Sequence, residues 1–199
     1  NMVFASVRQG PRGLESRLIE IDRKAADAVP GVLAVFENPT WVGAAATNWW
    51  AANEAVQAMK PVFETKWPAS SVDVDAALAE ALDSGDPARI VRQGDIGAAL
   101  DGENAFSPEN SVGLAPTAGS EPLTATARLT GDRLEIWAPT QAPSLGRAAA
   151  ARAAGVSESQ VALYPTLVGG GYGRKMEVTA IEQAGGVAGG GEGPGHTTR

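Results

Sequence analysis

An apolar stretch, Val161–Val168, runs straight into Gly169-Gly170-Gly171-Tyr172-Gly173. Four glycines in five residues end any regular element there. They also let the backbone approach another group closely and turn bare N–H donors toward it. The rest of the chain is cut into short pieces in the same way, with 24 Gly and 13 Pro among 199 residues. No apolar run approaches the roughly 18 residues needed to span a bilayer.

Between these breaks the signals are mixed. Met2–Val7, Arg17–Asp22, Val32–Glu37, Val42–Ala46 and Val62–Trp67 read as short strands. Asp22 is placed to cap a helix over Lys24–Val29, closed by Pro30-Gly31. Thr47 or Asn48 can cap a longer helix from Trp49 to Met59, whose apolar residues Trp49, Ala52, Val56 and Met59 share one face. Helices are expected over Val74–Leu82 and Ile96–Leu100, and a strand over Ile90–Arg92, with Ser84–Pro87 and most of 101–120 as loop. Leu123–Leu129 and Arg133–Trp137 form a hairpin around Thr130-Gly131-Asp132, followed by an Ala-rich helix over Ser144–Ala154. The fold class is α+β, with no internal repeat.

Composition excludes several chemistries. The absence of Cys rules out disulfides, thiolate-bound zinc and an iron–sulfur cluster ligated by this chain. The single histidine, His196, lies in a Gly-rich tail and takes no role. A net charge of -7 argues against nucleic acid or an anionic membrane as the main partner.

Few motifs remain. Val168–Lys175 suits an oxyanion, with Arg174 and Lys175 adding charge that fits phosphate. It lacks the Gly-Lys-Ser/Thr of a Walker loop and the acidic residue of a dinucleotide fingerprint. A ligand-contacting loop and a plain glycine turn are both open readings. Glu121, fixed before Pro122, can orient a substrate or cofactor, or be a solvated loop acid. Thr140 and Gln141 can offer polar contacts at a helix start or simply cap it. The Trp49-Trp50 pair is expected in core and interface packing.

Taken in order, Met2–Val7, Leu18–Asp22 and Ala25–Val32 resemble the α/β-hammerhead domain of the molybdenum hydroxylases, the xanthine oxidase family. Trp49–Ala55 resembles a later helix of that domain. Glu121–Ala127 (EPLTATA) is similar to the "(M/L)EPxxATA" segment of the molybdopterin-binding domain. Trp137–Pro143 (WAPTQAP), the Ala-rich helix and Gly169–Arg174 (GGGYGR) complete the resemblance, which covers 1–67 and 88–184. It implies a hammerhead-like domain over 1–70, a linker over 71–87 and part of a molybdopterin-binding domain over 88–184.

The nearest subtype is the large subunit of isoquinoline 1-oxidoreductase and aldehyde dehydrogenase type. The resemblance implies molybdenum on a molybdopterin cytosine dinucleotide, and hydroxylation of aldehydes or N-heterocycles with water-derived oxygen. Electrons would pass to a [2Fe–2S] small subunit and onward to a cytochrome c subunit. Gly169, Gly170, Gly171, Tyr172, Gly173, Arg174 and Gln141 would contact the cofactor, and Glu121 would line the substrate side. It also implies a bacterial protein of cytoplasm or periplasm, the periplasm being favoured, although Asn1–Ala5 begins no signal peptide.

Three departures accompany the resemblance. The family's catalytic Glu lies far beyond residue 199, a cofactor loop upstream of the hammerhead is missing, and the usual His before Glu-Pro is absent from Leu114–Ser120. The chain therefore reads as a fragment without a catalytic residue or metal ligand, inactive alone and not retaining the cofactor. Seven Gly in Gly185–Arg199 imply a disordered tail. Shifting a possible codon string for it by one base yields a helix and strand, so a frameshifted or truncated gene is expected. The alternatives are a non-catalytic assembly remnant and a small anion-binding α+β protein.

Overall fold

The computed structural model describes residues 2–11, 14–67, 70–84, 88, 90–91, 93–101, 106, 108–113, 115 and 117–190. The turn residues Arg12 and Gly13, the loop residues 85–87, Arg92 and Leu114, and the tail 191–199 with His196 lie outside the described residues. The described parts of Asn1–Trp67 and Thr117–Arg199 form one compact unit, and those of Pro68–Pro116 a second.

The first lobe of the large unit is built from β1 (Phe4–Gln9), β2 (Leu14–Glu20), α1 (Arg23–Asp27), β3 (Val32–Asn38), β4 (Trp41–Ala46), α2 (Trp49–Ala58) and β5 (Val62–Trp67). β4 lies between β1 and β3 in an antiparallel sheet, and β2 pairs with β5 in another. Every residue of β4 is buried. Its Gly43-Ala44-Ala45-Ala46 run keeps that strand thin enough to be covered on both faces. Caps are where local sequence places them: Asp22 accepts from Ala25 N–H at 2.9 Å, and Asn48 from Ala51 N–H at 2.9 Å.

α2 buries Ala51, Ala52, Ala55 and Val56, with Met59 just past its end. Ala55, Val56 and Met59 pack with Ala26, Val35, Val42 and Ala44, while Ala51 and Ala52 pack with Ala46. The expected burial of Trp49 and Trp50 is not found: they are 54% and 66% exposed. The small side chains of α2 bring the helix close to the sheet, which leaves no room for an indole beneath its first turn.

The second lobe contains β6 (Thr126–Thr130), β7 (Arg133–Ala138), α5 (Pro143–Ala154), β8 (Val161–Pro165) and α6 (Thr179–Ala188). β6 and β7 form the expected hairpin, with Gly131 at φ +61° in the turn. β8 pairs parallel to β7 after the α5 crossover. Two expected strands are shorter than their apolar runs: Leu123–Ala125 and Thr166–Val168 carry no ladder. The outer face of this sheet holds Trp137 stacked on Tyr164, centroids 5.4 Å apart, with the Arg128 guanidinium 5.5 Å from the Trp137 ring.

Disorder from Gly185 onward is corrected by α6, which stays helical to Ala188 and buries Gly185 and Gly186. Gly146, Ala150 and Ala154 on α5 face Ile181, Gly185 and Gly189, both stripes spaced by four residues. A glycine inside a helix costs about 1 kcal/mol relative to alanine. Here that cost is offset by the closeness of two backbones that any side chain would hold apart. Beyond the contact, Val187 packs on Trp41, Phe36 and Ala45 of the first lobe.

In the second unit, α3 (Ser71–Ser84) contains the expected helix, extended at both ends, and α4 (Ile96–Leu100) matches its expected span. The strand expected at Ile90 is not formed: Ile90 and Val91 are irregular and exposed. Among the described residues, no helix is long and apolar enough to cross a membrane.

Candidate functional site

Two segments of the second lobe line one open cleft of about 230 Å³. They are the stretch before β6 and the glycine loop after β8 with the turn that ends it; the turn into α5 packs against that loop. Thr117, Gly119, Glu121, Gly170, Arg174 and Lys175 contribute to its lining.

The glycine loop curls because Gly170 (φ +88°), Tyr172 (φ +48°) and Gly173 (φ +83°) all take left-handed conformations. Gly170 N–H donates to the Val168 carbonyl at 2.9 Å, and Arg174 N–H to the Gly171 carbonyl at 2.7 Å. A short 3₁₀ turn over Arg174–Met176 follows and buries Lys175. Two glycines are required by close approach. A Cβ on Gly119 would stand 2.8 Å from the Gly170 carbonyl oxygen, and one on Gly169 would stand 2.8 Å from the Glu121 Cβ.

Glu121 is tied down twice. Its Oε2 accepts from Gly169 N–H at 2.8 Å and from the Lys175 ammonium. The Lys175 hydrogen bond, helped by Gly169 N–H, holds the carboxyl below the ordinary glutamate range. Glu121 N–H also donates to the Gly169 carbonyl at 3.1 Å, so the two segments are bonded in both directions.

The turn into α5 is fixed from the same place. The Lys175 carbonyl accepts from Gln141 N–H at 2.9 Å and from the Thr140 hydroxyl at 3.3 Å. Thr140 is buried, and its oxygen also accepts from Ala142 N–H at 3.0 Å. The Gln141 amide lies over Gly171, where a Cβ would come within 2.5 Å of its oxygen.

The structure therefore brings Glu121, Gln141 and Gly169–Arg174 into one neighbourhood. Arg174 and Lys175 are not the free phosphate-binding cations expected from sequence. Lys175 is 2% exposed and paired with Glu121, and Arg174 pairs with Glu177. The anion-binding alternative loses its two charges to these carboxylates. Sequence reasoning singled out Thr140 without its burial, and missed Gly119 and the Lys175–Glu121 pair. That pair spans 54 residues, and no local pattern encodes it. Among the described residues no group of three or more His, Asp or Glu could hold a metal ion.

The family model described as the molybdopterin cofactor-binding domain matches residues 82–189, more than half of the chain. No curated protein matches in sequence. Among solved structures, the fold is similar to quinoline 2-oxidoreductase from Pseudomonas putida 86, with a TM-score of 0.62 and 18% identity over 92% of this chain and 30% of that one. It is also similar to aldehyde oxidoreductase from Desulfovibrio gigas, with a TM-score of 0.65 and 17% identity over 92% of this chain and 26% of that one. For CO dehydrogenase from Oligotropha carboxidovorans the TM-score is 0.51 and the identity 17%, over 94% and 30% of the two chains. This chain thus spans under a third of the length of each. With the family model matched across the lobe that carries the cleft, the chain belongs to the molybdopterin cofactor-binding domain family.

Proposed function

We propose that the chain is part of the cofactor-holding subunit of an oxidoreductase that hydroxylates aldehydes or N-heterocycles with oxygen from water. The observation that carries this reading is the cleft lined by Glu121, Gly170, Arg174 and Lys175, with Gln141 packed on the same glycine loop, inside the span of the family match. The similar folds of an aldehyde oxidoreductase and a quinoline oxidoreductase support the two substrate classes. In this reading the first lobe is hammerhead-like, with a division at 1–70, a linker at 71–87 and the molybdopterin-binding part at 88–184. The cofactor is a molybdopterin cytosine dinucleotide, and electrons leave through a [2Fe–2S] subunit and a cytochrome c subunit. The proposed setting is a bacterial periplasm.

The cleft residues suit such a group. Gly119 and Gly170 approach so closely that a Cβ cannot be added at Gly119, leaving peptide edges as the cleft wall. A flat polar ring system can lie against such a wall. When bound, molybdenum on a pterin supplies two-electron redox chemistry. The chain's own part is to bind and orient. Gln141 offers an exposed amide, Tyr172 an exposed ring, and Glu121 an ionised acceptor beside the pocket. On its own the 199-residue chain would not turn over or keep the cofactor.

The test joins the coding sequence to its flanking reading frames and purifies the extended subunit beside the 199-residue chain. Molybdenum and pterin should copurify with the extended subunit, which should place ¹⁸O from labelled water in its product. An extended subunit without molybdenum would overturn the proposal.

A further inference from the structure

Lys175 lines the cleft and bonds both the stretch before β6 and the turn into α5. Its side chain is 2% exposed, and its ammonium donates to Glu121 Oε2. Its carbonyl, at the other end of the residue, takes Gln141 N–H and the Thr140 hydroxyl. The residue itself closes the turn that ends the glycine loop. Burying an ammonium is unfavourable unless a partner with good geometry compensates it. An apolar side chain of similar volume would fill the same space without that cost. What a methionine or leucine could not do is hold the Glu121 carboxylate.

We propose that Lys175 is a positioning residue, a buried anchor that holds Glu121, the Thr140–Gln141 turn and the glycine loop as one rigid frame around the cleft. Because Oε2 takes both Lys175 and Gly169, Oε1 has no hydrogen-bond partner among the described residues. It is left to accept an N–H or O–H from a bound molecule. The charged groups around Glu121 are Lys175 and, at the cleft lining, Arg174 with its partner Glu177. The lowered carboxyl keeps that acceptor ionised at neutral pH. The inference rests on the cofactor reading only for the identity of what the frame holds.

The experiment uses the full chain with ¹³C-labelled glutamate carboxyls and amide hydrogen exchange. In Lys175→Met the Glu121 titration should move up toward the ordinary range. Protection at both Gly169 and Gln141 should fall by about tenfold or more while β7 stays protected. Lys175→Arg should restore part of both effects. Should Lys175→Met not fold, the wild-type chain gives the same answer. Acidifying through the Glu121 midpoint should raise exchange at Gln141, relative to its intrinsic rate, with that midpoint. An unmoved Glu121 titration, or a Gln141 amide indifferent to it, overturns the anchor. Metal analysis of the extended subunit separates the two proposals. Coupling without molybdenum removes the cofactor reading alone, and molybdenum without coupling removes the anchor alone.

Discussion

A Cβ built on Gly185 stands 3.0 Å from the carbonyl oxygen of Ala150 and 3.1 Å from its Cα. Both atoms are backbone of the facing helix, so neither can move aside as a side chain would. The contact converts a glycine-rich stretch, poor helix material by propensity, into the seam between α5 and α6.

Gly185→Ala should therefore destabilise the chain by about 1–3 kcal/mol, the usual range for overpacking, despite the gain in helix propensity. Its neighbour gives the opposite sign. At Gly186 the nearest atoms are Trp41 at 3.5 Å and Ala153 at 3.8 Å, ordinary contact distances. Gly186→Ala should stabilise by up to about 1 kcal/mol. Urea denaturation of the two variants reads both signs; a stabilising Gly185→Ala would mean the helices are not in contact there.

Trp49→Ala should cost less than about 0.5 kcal/mol, the range for exposed positions. Met59→Ala, at a fully buried site just past the end of the same helix, should cost about 2–5 kcal/mol. Thermal melts of the pair decide between a buried and a surface indole.

The Glu121 carboxyl is depressed in the folded chain, so its contribution to stability is complete above the ordinary glutamate value of 4.5. It is lost as pH falls through the lower folded value. Glu135, depressed chiefly by its hydrogen bond from Arg128, follows the same sign. Stability should decline on acidification below about 4.5, and Glu121→Gln should flatten part of that decline. Equal slopes for wild type and Glu121→Gln would show that the Lys175 pair does not form in solution.

Gly171→Val places carbon where the Gln141 amide lies, 2.5 Å from its oxygen and 3.3 Å from Val168 Cγ1. The variant should fold with a loss of about 1–3 kcal/mol and push Gln141 off the loop. In the extended subunit, molybdenum retention should fall far more than stability. A variant with full metal and activity would make the loop a plain turn.

What could be read ahead of the structure depended on range. Asn48 before Trp49 and Gly131 in the hairpin act within a few residues, and both do what local chemistry expects. Trp49 illustrates where periodicity stops. Spacing says which residues share a face, not how far the sheet beneath it extends. Gly185 illustrates composition without context: a glycine-rich run looks like coil until the matching stripe Gly146, Ala150 and Ala154 is laid against Ile181, Gly185 and Gly189. Glu121 and Gly169–Arg174 were legible as pieces of a site. Lys175 was legible only as a charge, because its partner is 54 residues away and meets it through tertiary structure alone.

The packing of Val187 on Trp41 sets an order on biosynthesis. A ribosome delivering this chain releases the first lobe long before α6, so the indole, already packed with Phe36 and Ala45, waits for the Val187 part of its cover. Nascent chains arrested before Thr179 should expose Trp41 to quenchers and to chaperones that bind aromatic surface. Chains arrested once α6 has cleared the exit tunnel should not, which makes the end of the second lobe the step that completes the first.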